Sequence, residues 1–167
     1  MSALPCFQTR RLLLRPRSLA DFDACLAMDR DPQVTRFIPG PWQDPVRHAA
    51  FLRDRMTTRF GEGLGYWSII PRDDPAEFAG WILLLPLDGS GSEVEIGWRL
   101  PRAHWGKGYA TEAAAPVAAH ALHGLGLPRI TAQIHPGNSA SMRVAEKIGM
   151  RAEGEDAEGH RLYVLRP

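Results

Sequence analysis

Gly106 and Gly108 flank Lys107 in the run Trp105-Gly106-Lys107-Gly108-Tyr109-Ala110-Thr111-Glu112-Ala113. A strand-like segment, Glu93 to Leu100, precedes it, and an alanine-rich helical segment follows. Glycine at a strand-to-helix turn lets the main chain approach a ligand closely. The unpaired N–H groups that open a helix, with the positive end of its dipole, suit a phosphate. The chemistry indicated is the cradling of a phosphorylated ligand. A P-loop needs Gly-x-x-x-x-Gly-Lys-Ser/Thr so that a lysine and a hydroxyl reach phosphate and magnesium. Lys107 is followed by Gly108, and that spacing is absent. A dinucleotide fingerprint needs Gly-x-Gly-x-x-Gly, and here its last position is Thr111.

What remains resembles the acetyl-CoA pyrophosphate loop of the GNAT N-acetyltransferase superfamily, whose pattern is Gln/Arg-x-x-Gly-x-Gly/Ala. Trp105 stands at the Gln/Arg position, Gly108 at the glycine and Ala110 at the small residue. Tryptophan at that place is similar to the RimJ/RimL-like branch of ribosomal-protein N-acetyltransferases. The segment Asn138-Ser139-Ala140-Ser141-Met142-Arg143-Val144-Ala145-Glu146-Lys147-Ile148-Gly149-Met150 resembles that branch's Asn-x-x-Ser-x-x-x-x-Glu-Lys-x-Gly-Phe, and Thr9 to Pro16 resembles its first strand. The likeness spans almost the whole chain.

The resemblance implies acetyl-CoA as co-substrate and direct attack of a neutral amine on its thioester. Main-chain donors from Trp105 through Gly106, Lys107, Gly108, Tyr109 and Ala110 to Thr111 would hold the pyrophosphate. Arg99, Arg102 and Lys107 would add positive charge, with no acid between Glu95 and Glu112 in the chain. Trp98, Arg99 and Leu100 would offer backbone contacts to pantetheine, and an N–H near Leu100 would polarise the thioester carbonyl. Such a donor is worth about 2.7–4 kcal/mol against a developing oxyanion. Asn138 reads either as a pantetheine contact or as a plain helix cap. Lys147 reads either as a CoA phosphate contact or as a surface cation. Many family members place a tyrosine acid where this chain has Ala145. By resemblance Ser141 takes that role, as acid to the leaving thiolate or as a group that orients the sulfur.

Glu95 is the first candidate for the base, acting through a water. Glu93, on the same strand face, is its rival, and His135 ranks third. An N-terminal amine titrates near 7.7–8.0 and a lysine near 10.4, so the lysine needs roughly 4–5 kcal/mol more deprotonation at neutral pH. One weakly placed carboxylate therefore leans toward an α-amine, such as a protein N-terminus. A small-molecule amine (a drug or a polyamine) and a CoA-binding sensor without turnover remain the alternatives. The acceptor pocket is expected between loop 32–43, with Phe37 and Trp42, and hairpin 155–160, near Glu153, Glu155, Asp156 and Glu158.

Around these groups, 167 residues with 44% hydrophobic and 23% charged content predict one domain, residues 1–167, with a full core. A net charge of +1 gives no bulk reason to expect nucleic acid. Two unpaired cysteines, Cys6 and Cys25, suit a reducing cytoplasm. The absence of a long apolar run argues against a membrane span or a leader. His120 and His123 lack a third ligand of convincing spacing, so no metal is expected. A monomer or a homodimer fits equally. Strands are expected at 11–16, 66–70, 78–85, 93–100, 129–134, 150–155 and 160–166, with a turn at Asp88 to Ser92. Helices are expected at 20–29 (capped by Ser18), from Asp44-Pro45 to about 60, at 108–123 and after Asn138. The second should bury Ala49, Phe51, Leu52, Met56 and Phe60. Pro116 predicts a kink or a later effective start in the third. The fold class is α+β, a mixed α/β domain. The resemblance adds a mostly antiparallel sheet of about seven strands, splayed between the fourth and fifth and flanked by about four helices.

Overall fold

The computed structural model describes residues 3–87 and 93–167; the turn expected at Asp88 to Ser92 lies outside them. In chain order the elements are β1 (Phe7–Gln8), β2 (Leu12–Pro16), α1 (Phe22–Arg30), α2 (Pro45–Thr57), β3 (Gly65–Pro71), β4 (Trp81–Pro86), β5 (Val94–Arg99), α3 (Tyr109–Ala119), β6 (Ile130–Ile134), α4 (Ser139–Lys147), β7 (Arg151–Glu155) and β8 (Arg161–Leu165). One eight-stranded sheet runs in the order β1-β2-β3-β4-β5-β6-β8-β7. The expected seven strands are all present, and the two-residue β1 is an addition at the edge. All pairings are antiparallel except β5 with β6, which is parallel and bridged by α3. That parallel pair is aligned only at Glu95 and Thr131, against six aligned positions between β4 and β5. The two strands therefore separate beyond Glu95 and leave the sheet open toward the C-terminal end of β5.

Alternation along the strands sends side chains to two cores. Leu14, Trp67, Ile69, Ile82, Leu84 and Ile96 pack with Ala113, Ala114 and Val117 of α3 and Ala145 of α4. On the other face Tyr66, Trp81 and Leu85 pack with Cys25, Leu26 and Met28 of α1 and Leu52 of α2.

Local chemistry explains the element boundaries. Asp44 caps α2 by accepting from the N–H groups of Val46 and Arg47, and Pro45 occupies the first helical position. Ser18 caps a single 3-10 turn, Leu19–Asp21, that leads into α1, and its partner in a capping box is Asp21. The buried side of α2 is His48 and Leu52; Phe51, expected there, is exposed. A histidine holds that place because it pairs with Asp29 of α1. α3 begins at Tyr109, so Pro116 does not delay its start; the irregularity is a π-helical turn after it, at His120–Gly124. Gly80 packs against the end of β5: a Cβ there would sit 2.2 Å from the Arg99 carbonyl oxygen. Among the described residues no helix is long and apolar enough to cross a membrane.

Candidate active site

The opening beyond Glu95 is roofed by α4 on one side and by the strand-to-helix turn at its mouth. In that turn Gly106 and Gly108 have φ of +72° and +77°, the left-handed region that favours glycine. A Cβ on Gly106 would meet nothing within 4 Å, and one on Gly108 would meet only the Arg11 guanidinium at 3.4 Å. The space over Gly106 is open, and Gly108 is bordered by Arg11. Gly108 is the N-cap of α3 and has no side chain to satisfy the first helical N–H groups. Tyr109, Ala110 and Thr111, which carry the first of those N–H groups, line the cleft below.

Glu112 lies in the first turn of this helix, where a free carboxylate would compete for the same donors. Instead it accepts from Thr9 Oγ1 at 2.7 Å, the Arg11 N–H at 2.8 Å and Arg11 Nε at 2.7 Å. Burial raises its pKa, but these bonds outweigh burial and hold it below the usual glutamate value. The Thr9 to Arg11 segment thus draws the acid to the far side of the helix start. Arg11 also lies 4.8 Å from the centroid of the Tyr109 ring.

Below the turn, a cleft of about 530 Å³ reaches from the glycines to α4. Trp98, Arg99, Leu100, Trp105, Gly106, Gly108, Tyr109, Ala110, Thr111, Asn138, Ser141 and Lys147 all contribute to its wall. Glu95, Arg102 and Lys107 do not. At its deep end Trp98 Nε1 donates to Ser141 Oγ at 3.3 Å. Asn138 Oδ1 accepts from the Ser141 N–H at 3.2 Å, so its side chain is engaged as the helix cap. Trp105 Nε1 donates to the Leu100 carbonyl at 2.8 Å, which pins the chain just after β5. Ala145, one turn beyond Ser141, is fully buried in the core. No acid can act from that position, and Ser141 is the hydroxyl of this helix face that reaches the cleft.

The electrostatics differ from the pattern expected along the chain. The Arg99 guanidinium turns to the opposite face, where Nη1 meets Asp29 Oδ1 at 2.7 Å between the rings of Trp42 and Trp81. Arg102 pairs with Asp31. Both acids belong to the α1 region, far from the turn in sequence. Of the three expected cations only Lys107 has no ion pair among the described residues; it lies 5.8 Å from the Tyr109 ring centroid. Arg36 and Arg143 bring positive charge to the cleft wall beside Lys147. Arg143 and Lys147 are four apart on α4, a spacing that puts them on one face. That spacing was the available signal for Arg143; Arg36 sits in an irregular loop and had none.

On the other face of β5, Glu95 and Gly97 point toward α1 and α2. Burial pushes the Glu95 carboxyl above its ordinary value, against the lowering field of Arg55. Its rival Glu93 is bound by both arms of the Arg129 guanidinium. His135 stacks on Phe37 with ring centroids 4.9 Å apart and accepts from the Gly137 N–H through Nδ1 at 3.0 Å. His160 lies 6.2 Å from His135. His135 thus lies between Phe37 of loop 32–43 and His160 of the terminal hairpin, and no residue of the hairpin lines the cleft. The hairpin's acids are partly satisfied: Glu153 by Arg166, and Asp156 by His160 at 3.0 Å.

Known proteins resemble this chain in sequence and fold. Residues 11–151 match the family described as Acetyltransferase (GNAT) domain. The uncharacterized N-acetyltransferase YoaA of Bacillus subtilis is 30% identical over 150 residues, covering 90% of this chain and 85% of that protein. An acetyltransferase from Agrobacterium tumefaciens superposes with a TM-score of 0.83 at 28% identity, covering 100% of this chain and 97% of the other. A spermidine N-acetyltransferase from Vibrio cholerae, in complex with CoA and spermine, has the same fold, with a TM-score of 0.75 at 12% identity over 95% of this chain and 96% of that one.

Proposed function

The chain belongs to the GNAT acetyltransferase family and is an N-acetyltransferase; from that premise we propose that it passes the acetyl group of acetyl-CoA directly to an α-amine at the N-terminus of a peptide or protein. The observation that carries this reading is the hydrogen bond from Trp98 Nε1 to Ser141 Oγ, inside the cleft that opens on the glycine turn. The indole N–H occupies one lone pair of Oγ. The hydroxyl proton is then left to donate to a thioester sulfur.

In the proposed reaction the unpaired N–H groups at the start of α3 hold the diphosphate, with Arg143 and Lys147 nearby for the remaining phosphate charge. The exposed edge of β5 at Trp98 to Leu100 offers main-chain partners to pantetheine, since β6 has diverged. The amine nitrogen attacks the thioester carbon, and a main-chain N–H at the end of β5 takes the developing negative charge on oxygen. The C–S bond then breaks. Ser141 gives or orients a proton at sulfur, and Glu95 accepts the amine's proton through a water.

An α-amine is favoured because the base is a single carboxylate that must reach the nitrogen through solvent. A polyamine such as the one bound by the Vibrio neighbour calls for concentrated free negative charge. Here Glu93, Glu153 and Asp156 are already taken by Arg129, Arg166 and His160.

Release of free thiol from acetyl-CoA, measured with a panel of peptides and amines, tests the reading. Peptides with free N-termini should outpace Lys side-chain and polyamine acceptors. Ser141→Ala should lower kcat about 10²-fold while CoA still binds. Tight CoA binding with no thiol release for any acceptor would mean a CoA sensor instead. Gly108→Asp places bulk and like charge at the turn and should weaken CoA binding severely; unchanged affinity would refute the diphosphate site.

A further inference from the structure

A second cleft, of about 650 Å³, lies on the α1–α2 face at the other end of the sheet. Its floor is Tyr66 at the start of β3, with Met56 and Phe60 as apolar walls. Three arginines line it: Arg17 just after β2, Arg55 in the last turn of α2, and Arg59 beyond that helix. Arg17 lies flat on Tyr66, its guanidinium carbon 3.6 Å from the ring centroid. That packing seals Arg17 Nη2 from solvent without an oxygen partner, in the field of the buried Cys25 thiol, and leaves the rest of the guanidinium to line the cleft. Neither Arg17 nor Arg55 forms an ion pair with a carboxylate among the described residues, and the acid in the lining, Glu62, is exposed at the rim. A rigid, partly desolvated guanidinium beside a second one is the arrangement that receives a carboxylate by charge-assisted hydrogen bonds.

The register fixes the spacing between this cleft and the face of β5 that carries Glu95. Tyr66 is opposite Leu83, and Leu83 is opposite Gly97, so all three lie in one row on one face. Gly97 is thus two strand spacings from the cleft floor, roughly 10 Å. Along that row Leu83 and Gly97 are only half-buried, as is Glu95 on the same face, whereas Trp81 and Leu85 beside them are buried. Arg55, on the cleft wall, is also the cation that acts on Glu95.

We propose that this cleft binds the anionic end of a zwitterionic acceptor, a carboxylate carried roughly 10 Å from the α-amine that is acetylated. The assignment rests on the acetyl-transfer reading and narrows its acceptor. The sheet order supports the orientation. The arginines stand on the β2–β3 side of β5, and the acidic hairpin β7–β8 stands on the other. A carboxylate is drawn to the first; Glu153 and Asp156 of the hairpin are already paired, so the amine end is placed by its distance from that carboxylate. An acceptor with both charges is aligned with its amine at Glu95. An extended tripeptide with a free C-terminus has the required span, at roughly 3.3–3.6 Å per residue.

The test compares Ala-Phe-Ala as the free acid with Ala-Phe-Ala amide, titrated calorimetrically onto the protein saturated with CoA. The acid should bind at least about tenfold more tightly, the scale of one charge-assisted contact. Arg55→Met should bring the acid's Kd to within about threefold of the amide's if that contact is lost. Arg17→Met should do the same, and Arg55 keeps the test alive if loss of the Arg17–Tyr66 stack impairs folding. Equal affinity for acid and amide in the parent protein overturns the proposal, as does an acid preference that survives both substitutions. Calorimetry does not depend on turnover. An acid preference without thiol release from acetyl-CoA would therefore leave the cleft's role standing and remove the transfer reading.

Discussion

Glu95 shows how one side chain is selected from equals. Glu93 and Glu95 share a strand face in the sequence, but Arg129 closes on Glu93 with both arms of its guanidinium. Among the described residues Glu95 has no such partner; burial raises its pKa and Arg55 only partly opposes that. A base must be ionised to work. The acid limb of kcat/KM should therefore rise with pH through the raised Glu95 value, above that of a solvent-exposed glutamate. A second rise should follow near 7.7–8.0 as the acceptor amine itself loses its proton. Glu95→Gln should abolish the lower limb and cut kcat/KM about 10²-fold. A lower limb that persists in that variant would shift the role to His135. Cys25 illustrates the reverse case, a reactive type made inert: burial pushes its thiol up to about 12.

At the level of the element, the start of α3 depends on a contact a hundred residues away in the chain. Thr9 and Arg11 hold the Glu112 carboxylate, and through it the first turn of α3, where the proposed diphosphate site lies. A hydrogen bond to a charged group contributes about 1.5–3 kcal/mol. Glu112→Gln should therefore lower stability by about 1–3 kcal/mol, read as a lower urea midpoint at neutral pH. The sign with pH follows from the depressed folded pKa. The stabilisation is complete above the ordinary glutamate value of 4.5 and is lost as pH falls through the lower folded value. The gap between parent and variant should close in acid; a gap that stays constant would show that the contact acts by shape alone.

Across the whole molecule, one buried network joins α1 and α2 to β5. Asp29 of α1 accepts from Arg99 of β5 at 2.7 Å and meets His48 Nε2 of α2 at 3.2 Å. Asp29 and His48 are almost wholly inaccessible, and Arg99 is nearly so. Removing one partner of such a pair leaves an uncompensated buried charge, at a cost of about 3–5 kcal/mol. Asp29→Ala should be destabilised by that order in chemical denaturation. The double variant Asp29→Leu with Arg99→Met should recover much of the loss, because no charge is then left alone. If the double variant is no more stable than the single, the network is held by packing rather than charge.

The seven principal strands, the four helices and the glycine turn were legible because each rests on local rules: alternation, capping and the backbone freedom of glycine. Trp98, Leu100, Gly106, Gly108 and Ser141, which the structure brings to one cleft, stand in two short runs of recognisable pattern. Which cations face the cleft was not legible. Arg99 and Arg102 are adjacent to the turn in the chain, yet Asp29 and Asp31 draw them away, while Arg36 and Arg143 arrive from other elements. The burial of His48, the capture of Glu112 by Thr9 and Arg11, and the arginine-lined second cleft are likewise contacts between segments far apart in sequence. Local pattern determines the conformation of each stretch. Pairing of charge across the fold depends on distances that exist only once the sheet and its helices have assembled.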